Sequence, residues 1–141
     1  MTLDLHATPE EVMRAVEALQ EFGEAREIPG KILFGLTLAL EECGSNIVNH
    51  GLQRDAEKTF RVSFEHTACG ITIELRDPGP EFDPTLKPAG EPEADDDGPP
   101  GGWGIFLVRR YTDEIRYARE GGENVLRLTK TLNSPPSSTI L

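Results

Sequence analysis

Glu42 and Asn46 are the first pair in this chain whose types and spacing could do chemistry. At i and i+4 on a helix, a carboxylate and a side-chain amide stack as neighbours. Two oxygens placed this way can hold a hard cation or position a water. The same pair also suits a plainer role, as polar residues at the border of an amphipathic helix. The surrounding run supplies that helix. Leu33, Leu36, Leu40, Cys43 and Ile47 recur at the 3/4 spacing of one helical face, within a stripe roughly 80° wide. Asn46 is expected at the edge of the stripe, Glu42 just beyond it, and Glu41 towards water.

Two glycine-bearing segments follow. Asp77-Pro78-Gly79-Pro80-Glu81-Phe82-Asp83-Pro84 is a rigid, turn-rich stretch that ends a strand pattern. Gly101-Gly102-Trp103-Gly104 runs directly into the apolar Ile105-Phe106-Leu107-Val108, a pattern that leaves helix-terminal amides open to an anion. Taken alone, such a glycine pattern has low specificity.

The elements that must position these residues can be read in order. Leu3 and Leu5 alternate with polar residues as a short strand over residues 2–6. Thr8-Pro9-Glu10-Glu11 opens a first helix, with Thr8 as N-cap, Pro9 at the first helical position and Glu11 completing a capping box. Its apolar face is Val12, Val16, Leu19 and Phe22, and it fades near Gly23 to Glu27. A second helix runs from Pro29 to about Asn49 and stops at Gly51, a natural C-cap residue. Gly35 and Gly44 inside it are expected at close approaches to a neighbour or ligand. Residues 59–66 and 71–75 alternate as two strands joined at Cys69-Gly70. A third helix follows Gly104, and strands over 114–118 and 124–132 flank Gly121-Gly122. The order β-α-α-β-β-loop-α-β-β predicts an α+β two-layer sandwich, a mixed but mainly antiparallel sheet covered on one face by three helices. One domain is expected over 1–133, with a loop at about 85–101 and a flexible tail over 134–141.

Composition limits the function classes. A net charge of −11, from 25 acidic and 14 basic residues, argues against direct nucleic-acid or anionic-membrane binding. It is compatible with a protein partner that has a basic surface. Cys43 and Cys69 have no CxxC spacing and read as reduced structural thiols. No apolar run approaches the ~18 residues of a membrane span, and the N-terminus lacks a basic segment leading into an apolar one. A cytoplasmic protein is expected.

In order, Glu42-x-x-x-Asn46-x-x-x-His50-Gly51 is similar to the N box of the GHKL ATPase superfamily. Asp77-Pro78-Gly79-x-x-Phe82-Asp83-Pro84 resembles its first glycine box, and Gly102-x-Gly104-Ile105-Phe106-Leu107-Val108 its second. Within that group the chain most resembles the small stand-alone serine kinases of bacterial partner switching, the RsbW and SpoIIAB type of anti-sigma factor. The likeness covers residues 1–132, including Thr112-Asp113-Glu114-Ile115 after the second box. It implies a Bergerat-type ATP-binding fold, with ATP and Mg²⁺ as cofactors. By the same resemblance Glu42 is the catalytic base, Asn46 the Mg²⁺ ligand and Asp77 the reader of the adenine amino group. Gly79 lets the backbone turn beneath the base; Phe82, Gly102, Gly104, Ile105 and Phe106 complete the nucleotide site, and the long loop is the ATP lid.

The resemblance further implies a serine/threonine kinase acting on an anti-sigma-antagonist (STAS-like) partner and holding a sigma factor or other effector. Proteins of this type often form homodimers. Three departures stand out. Glu81 occupies a position where many relatives carry glycine. The lid's one basic residue is Lys87, amid seven carboxylates counting Glu81 and Asp83. An acidic lid repels phosphates, which motivates an alternative: a partner-sequestering module that uses the fold with nucleotide only modulating it, or without nucleotide. Near the final hairpin, Asn124 stands where relatives commonly place a threonine close to the adenine.

Overall fold

The computed structural model describes residues 1–86 and 104–132. Gly102, the expected lid from residue 87 onward and the expected tail over 134–141 lie outside them.

β1 (Thr2–His6) leads into α1 (Pro9–Ala25). The Thr8 hydroxyl accepts from the Glu11 amide at 3.2 Å, with Pro9 opening the helix. The Glu11 carboxylate returns to the amide of His6 at 3.1 Å instead of that of Thr8. The capping box therefore ties α1 to the end of β1. α2 (Gly30–Asn46) does not stop at a glycine cap. It widens into a π turn over Ile47–Gly51, closed by Leu52 N–H on Ile47 O at 2.7 Å. The left-handed backbone expected at Gly51 falls instead on Gln53 (φ 51°) and Arg54 (φ 58°). π turns of this kind are frequent at functional sites because they re-aim the side chains around them.

The glycines within α2 meet protein neighbours. A Cβ on Gly35 would lie 2.4 Å from the Tyr111 ring, and one on Gly44 would lie 3.1 Å from Val12. Gly44 thus lets α1 approach α2, and Gly35 lets α3 (Gly104–Tyr111) do so. The buried arc of α2 is wider than the aliphatic stripe, since Gly35, Thr37, Ala39 and Gly44 are buried too. Glu41 is consequently half-buried, as Glu42 is, and does not stand clear in water.

The remaining strands are β2 (Thr59–His66), β3 (Gly70–Asp77), β4 (Glu114–Glu120) and β5 (Glu123–Thr131). They form one sheet in the order β1-β2-β3-β5-β4. Every ladder is antiparallel, which corrects the expected mixed sheet. The apolar faces of the three helices join Val62, Phe64, Ile73, Leu75 and Leu128 in one core. The β2–β3 reversal is made at Ala68-Cys69, with Thr67 and Gly70 exchanging backbone hydrogen bonds at 2.8 and 3.3 Å. Gly70 belongs to β3, where a Cβ would meet the Lys130 carbonyl oxygen at 2.2 Å and Thr131 Cα at 3.0 Å. Both obstacles are backbone and cannot rotate away. Gly70→Ala is expected to lower stability by about 1–3 kcal/mol, seen as a lower denaturant midpoint at unchanged slope.

Candidate functional site

A cavity of about 260 Å³ opens where the end of α2, the start of α3 and the β3–β5–β4 part of the sheet converge. That volume is near the lower end for small-molecule pockets, and the wall is mostly apolar with a few convergent polar groups. Asn46, Ile47, His50 and Gly51 come from α2 and its π turn. Asp77, Pro80 and Phe82 come from the segment after β3, Ile105 and Val108 from α3, and Tyr117, Asn124 and Leu126 from the final hairpin.

Asp77 is buried at the end of β3. Its Oδ1 accepts from the Gly79 amide at 2.9 Å and from Asn124 Nδ2 at 3.2 Å. Oδ2 makes no hydrogen bond among the described residues. No buried side-chain oxygen there lacks a partner, so Oδ2 is reachable from the cavity and not sealed in the core. Gly79 has no spare room: a Cβ would stand 2.7 Å from the Gly51 carbonyl oxygen and 2.9 Å from Asp77 Oδ1. Its small size is what lets the segment after β3 pass against the π turn. Arg119 Nη1 donates to the Gly79 carbonyl at 2.7 Å and fixes that segment from β4.

On the opposite wall, Asn46 is half-buried, and its amide makes no hydrogen bond to any described residue. Glu42 lies one turn before it, off the cavity wall, half-buried and without an ion pair or hydrogen bond among the described residues. Burial, and secondarily the charge of Glu41, raises its carboxyl pKa above the ordinary carboxylate value. Cys43 lines the cavity as well, but burial pushes its thiol up to about 12. It is protonated at neutral pH and is no nucleophile.

The raised pKa of Glu42 has a stability consequence with a definite sign. The folded state holds the Glu42 proton more tightly than the unfolded chain. The associated stabilisation is present below the unfolded pKa and is lost as pH rises through the higher folded pKa. Above that folded pKa the ionised carboxylate is therefore a small cost. Glu42→Gln is expected to melt slightly above the parent at neutral pH, by less than about 1 kcal/mol because water screens the half-exposed group. The difference should vanish below about pH 4. Thermal melts across that range check it.

Residues of all three sequence motifs thus face one cavity: Asn46, then Asp77 and Phe82, then Ile105. Gly104 is the first residue of α3. Glu42 and Phe106 are not on the wall, and Gly102 is outside the described residues. The residue that ties the walls together was the least legible. The register sets Asn124 opposite Asp77 across β3–β5, and Tyr117 reaches it from β4. One signal was present: a polar residue at 124 in phase with the inward-facing Leu126 and Leu128.

A family model described as histidine kinase-like ATPase domain matches residues 5–130. The chain belongs to this family. A curated relative agrees with that placement. The chain is 30% identical over 139 residues to the serine/threonine-protein kinase BtrW of Bordetella bronchiseptica, covering 97% of this chain and 96% of that one. Among solved structures, the crystal structure of the RsbU and RsbW domains of Rv1364c from Mycobacterium tuberculosis matches with a TM-score of 0.60 at 18% identity. That match covers 96% of this chain and 33% of the other, so the chain spans about a third of the length of the matched chain. At this identity the likeness concerns the fold.

Membership of an ATPase family directs attention to what the cavity offers a nucleotide. Among the described residues no group of three or more His, Cys, Asp or Glu side chains is arranged to hold a metal, and no helix is long and apolar enough to cross a membrane. A Mg²⁺ ion carried in on a nucleotide would find one protein ligand on this wall. That ion keeps few protein ligands and completes its octahedron with phosphate oxygens and water, and Asn46 presents one uncommitted amide oxygen on the cavity wall.

Proposed function

We propose that the protein is an ATP-dependent serine/threonine kinase of a bacterial partner-switching system, acting in the cytoplasm. Its substrate is a hydroxyl on a STAS-like anti-sigma antagonist, and phosphorylation of that partner governs release or capture of a sigma factor or another effector. The observation that carries this reading is the convergence of Asn46, Asp77 and Ile105, one from each motif, on a single cavity, in a chain 30% identical to a named serine/threonine kinase.

The roles follow from the chemistry of each group. Asp77 accepts the exocyclic N–H of adenine through Oδ2, and the apolar wall of Ile105, Val108 and Leu126 receives the base. Asn46 binds the metal. Bound Mg²⁺ supplies charge neutralisation on the transferred phosphoryl group, which needs positioning more than covalent help. Glu42 takes the proton from the acceptor hydroxyl as its oxygen bonds to the γ-phosphorus and ADP departs. Burial, and then Glu41, raises its pKa, the direction that makes a carboxylate a stronger base.

The acidic run after Lys87 favours one other reading, a partner-sequestering module that does not transfer phosphate. Calorimetry with Mg-ADP separates the two. Sub-millimolar binding is expected for the kinase, and no binding at all supports sequestration without nucleotide.

A further inference from the structure

The hydrogen bonds around Asn124 settle the orientation of its amide by chemistry alone. On one side stand three oxygens that only accept: Asp77 Oδ1 at 3.2 Å, the Pro80 carbonyl at 2.8 Å and, more distantly, the Gly79 carbonyl at 3.5 Å. On the other side stands the Phe82 amide, which only donates, at 3.1 Å. The NH₂ must face the first set and the oxygen the second. The Tyr117 hydroxyl also donates to that oxygen. Asn124 is 6% exposed, and its donors and its oxygen are all engaged by protein. It has nothing left to offer a base directly. What it does is commit Asp77 Oδ1 as an acceptor, jointly with the Gly79 amide, so that Oδ2 is the only oxygen of that carboxylate left for a ligand.

We propose that Asn124, held in place by Tyr117, is a positioning residue that sets base selectivity by fixing Asp77 so that it presents Oδ2 to the cavity as an acceptor. The proposal rests on the reading that Asp77 meets the base. An acceptor at that point welcomes a 6-amino purine and opposes a 6-oxo purine, whose oxygen would face the carboxylate. A site built to hydrogen-bond a substrate N–H rejects the analogue lacking it far more strongly than an apolar pocket rejects a missing methylene. If Asp77 were free to rotate or to turn a different oxygen outward, that discrimination would fall. This makes the final hairpin part of the recognition machinery, although it contributes no direct contact through Asn124.

Calorimetric titration with Mg-ADP and Mg-IDP tests it, the two ligands differing in the 6-substituent and in the N1 proton that the 6-oxo base carries. The parent is expected to prefer ADP by about a hundredfold. Asn124→Leu preserves shape and removes the donor; its ADP-to-IDP preference should fall about tenfold or more, mainly through loss of ADP binding. Tyr117→Phe keeps the ring and removes only the hydroxyl that pins the amide, with an expected fall of about threefold. A purely structural role for Asn124 would weaken both ligands alike and leave the ratio at its parental value, and that result overturns the proposal. Should Asn124→Leu not fold, an unchanged ratio in Tyr117→Phe overturns it equally. A parent that binds ADP and IDP alike would instead refute the role of Asp77 itself, a failure distinct from that of Asn124.

Discussion

Glu42→Ala is expected to lose phosphoryl transfer by about 10²- to 10⁴-fold, the range a positioned general base contributes, while its affinity for Mg-ADP stays within about twofold of the parent. The asymmetry follows from where the residue lies. Glu42 precedes Asn46 by one turn but is not on the wall of the cavity, so its removal leaves that wall in place. It makes no ion pair or hydrogen bond among the described residues, so no structural network collapses with it. Its carboxyl is held above the ordinary pKa first by burial and then by Glu41. The acid limb of the transfer rate should therefore lie above the usual carboxylate range, and Glu41→Gln should move that limb to lower pH. Phosphate incorporation measured against pH, with ADP affinity measured on the same variants, tests both statements. Normal transfer by Glu42→Ala would remove it from the mechanism.

The second large effect is on binding. Asp77→Asn should weaken Mg-ADP by about 10- to 100-fold, the cost of losing a buried charged acceptor from a matched pair. Asparagine is close in shape, but its NH₂ must face either the Gly79 amide and Asn124 Nδ2 or the cavity. In the first case a donor opposes donors that now hold Oδ1 at 2.9 and 3.2 Å. In the second, a donor faces the amino group of the base. Either placement is unfavourable, and titration calorimetry reads the difference directly. An unchanged ADP affinity would mean that the base lies elsewhere in the cavity.

The order of elements was legible because each carries a local signal. The Thr8-Pro9 cap, the alternation of Phe60, Val62 and Phe64, and Gly121-Gly122 with left-handed φ of 59° and 81° all act within a few residues. The wall formed by the three motifs was legible through family likeness, since no periodicity links residue 46 to residue 77. What escaped depends on tertiary packing. The π turn after Asn46 replaces a simple stop at Gly51, and the carbonyl of Gly51 there packs against Gly79 from another segment. Glu41 and Glu42 could not be told apart by exposure, because close packing at Gly35 and Gly44 widens the buried arc of α2. Asn124 needed the β3–β5 register, a pairing of residues 47 apart in sequence. Arg109, whose guanidinium donates to the Thr85 carbonyl at 2.9 Å, links two segments 24 residues apart on either side of the loop. No pattern in either segment marks that contact.

The central claim is phosphoryl transfer to a protein hydroxyl. Its most direct test is incubation of the purified protein with Mg-ATP and a candidate STAS-domain protein from the native host, followed by mass spectrometry of that candidate. Phosphoserine or phosphothreonine on the partner, present with the parent and absent with Glu42→Ala, is the predicted result. A partner that stays bound yet unphosphorylated after prolonged incubation with Mg-ATP would contradict the kinase and leave a sequestering module in its place.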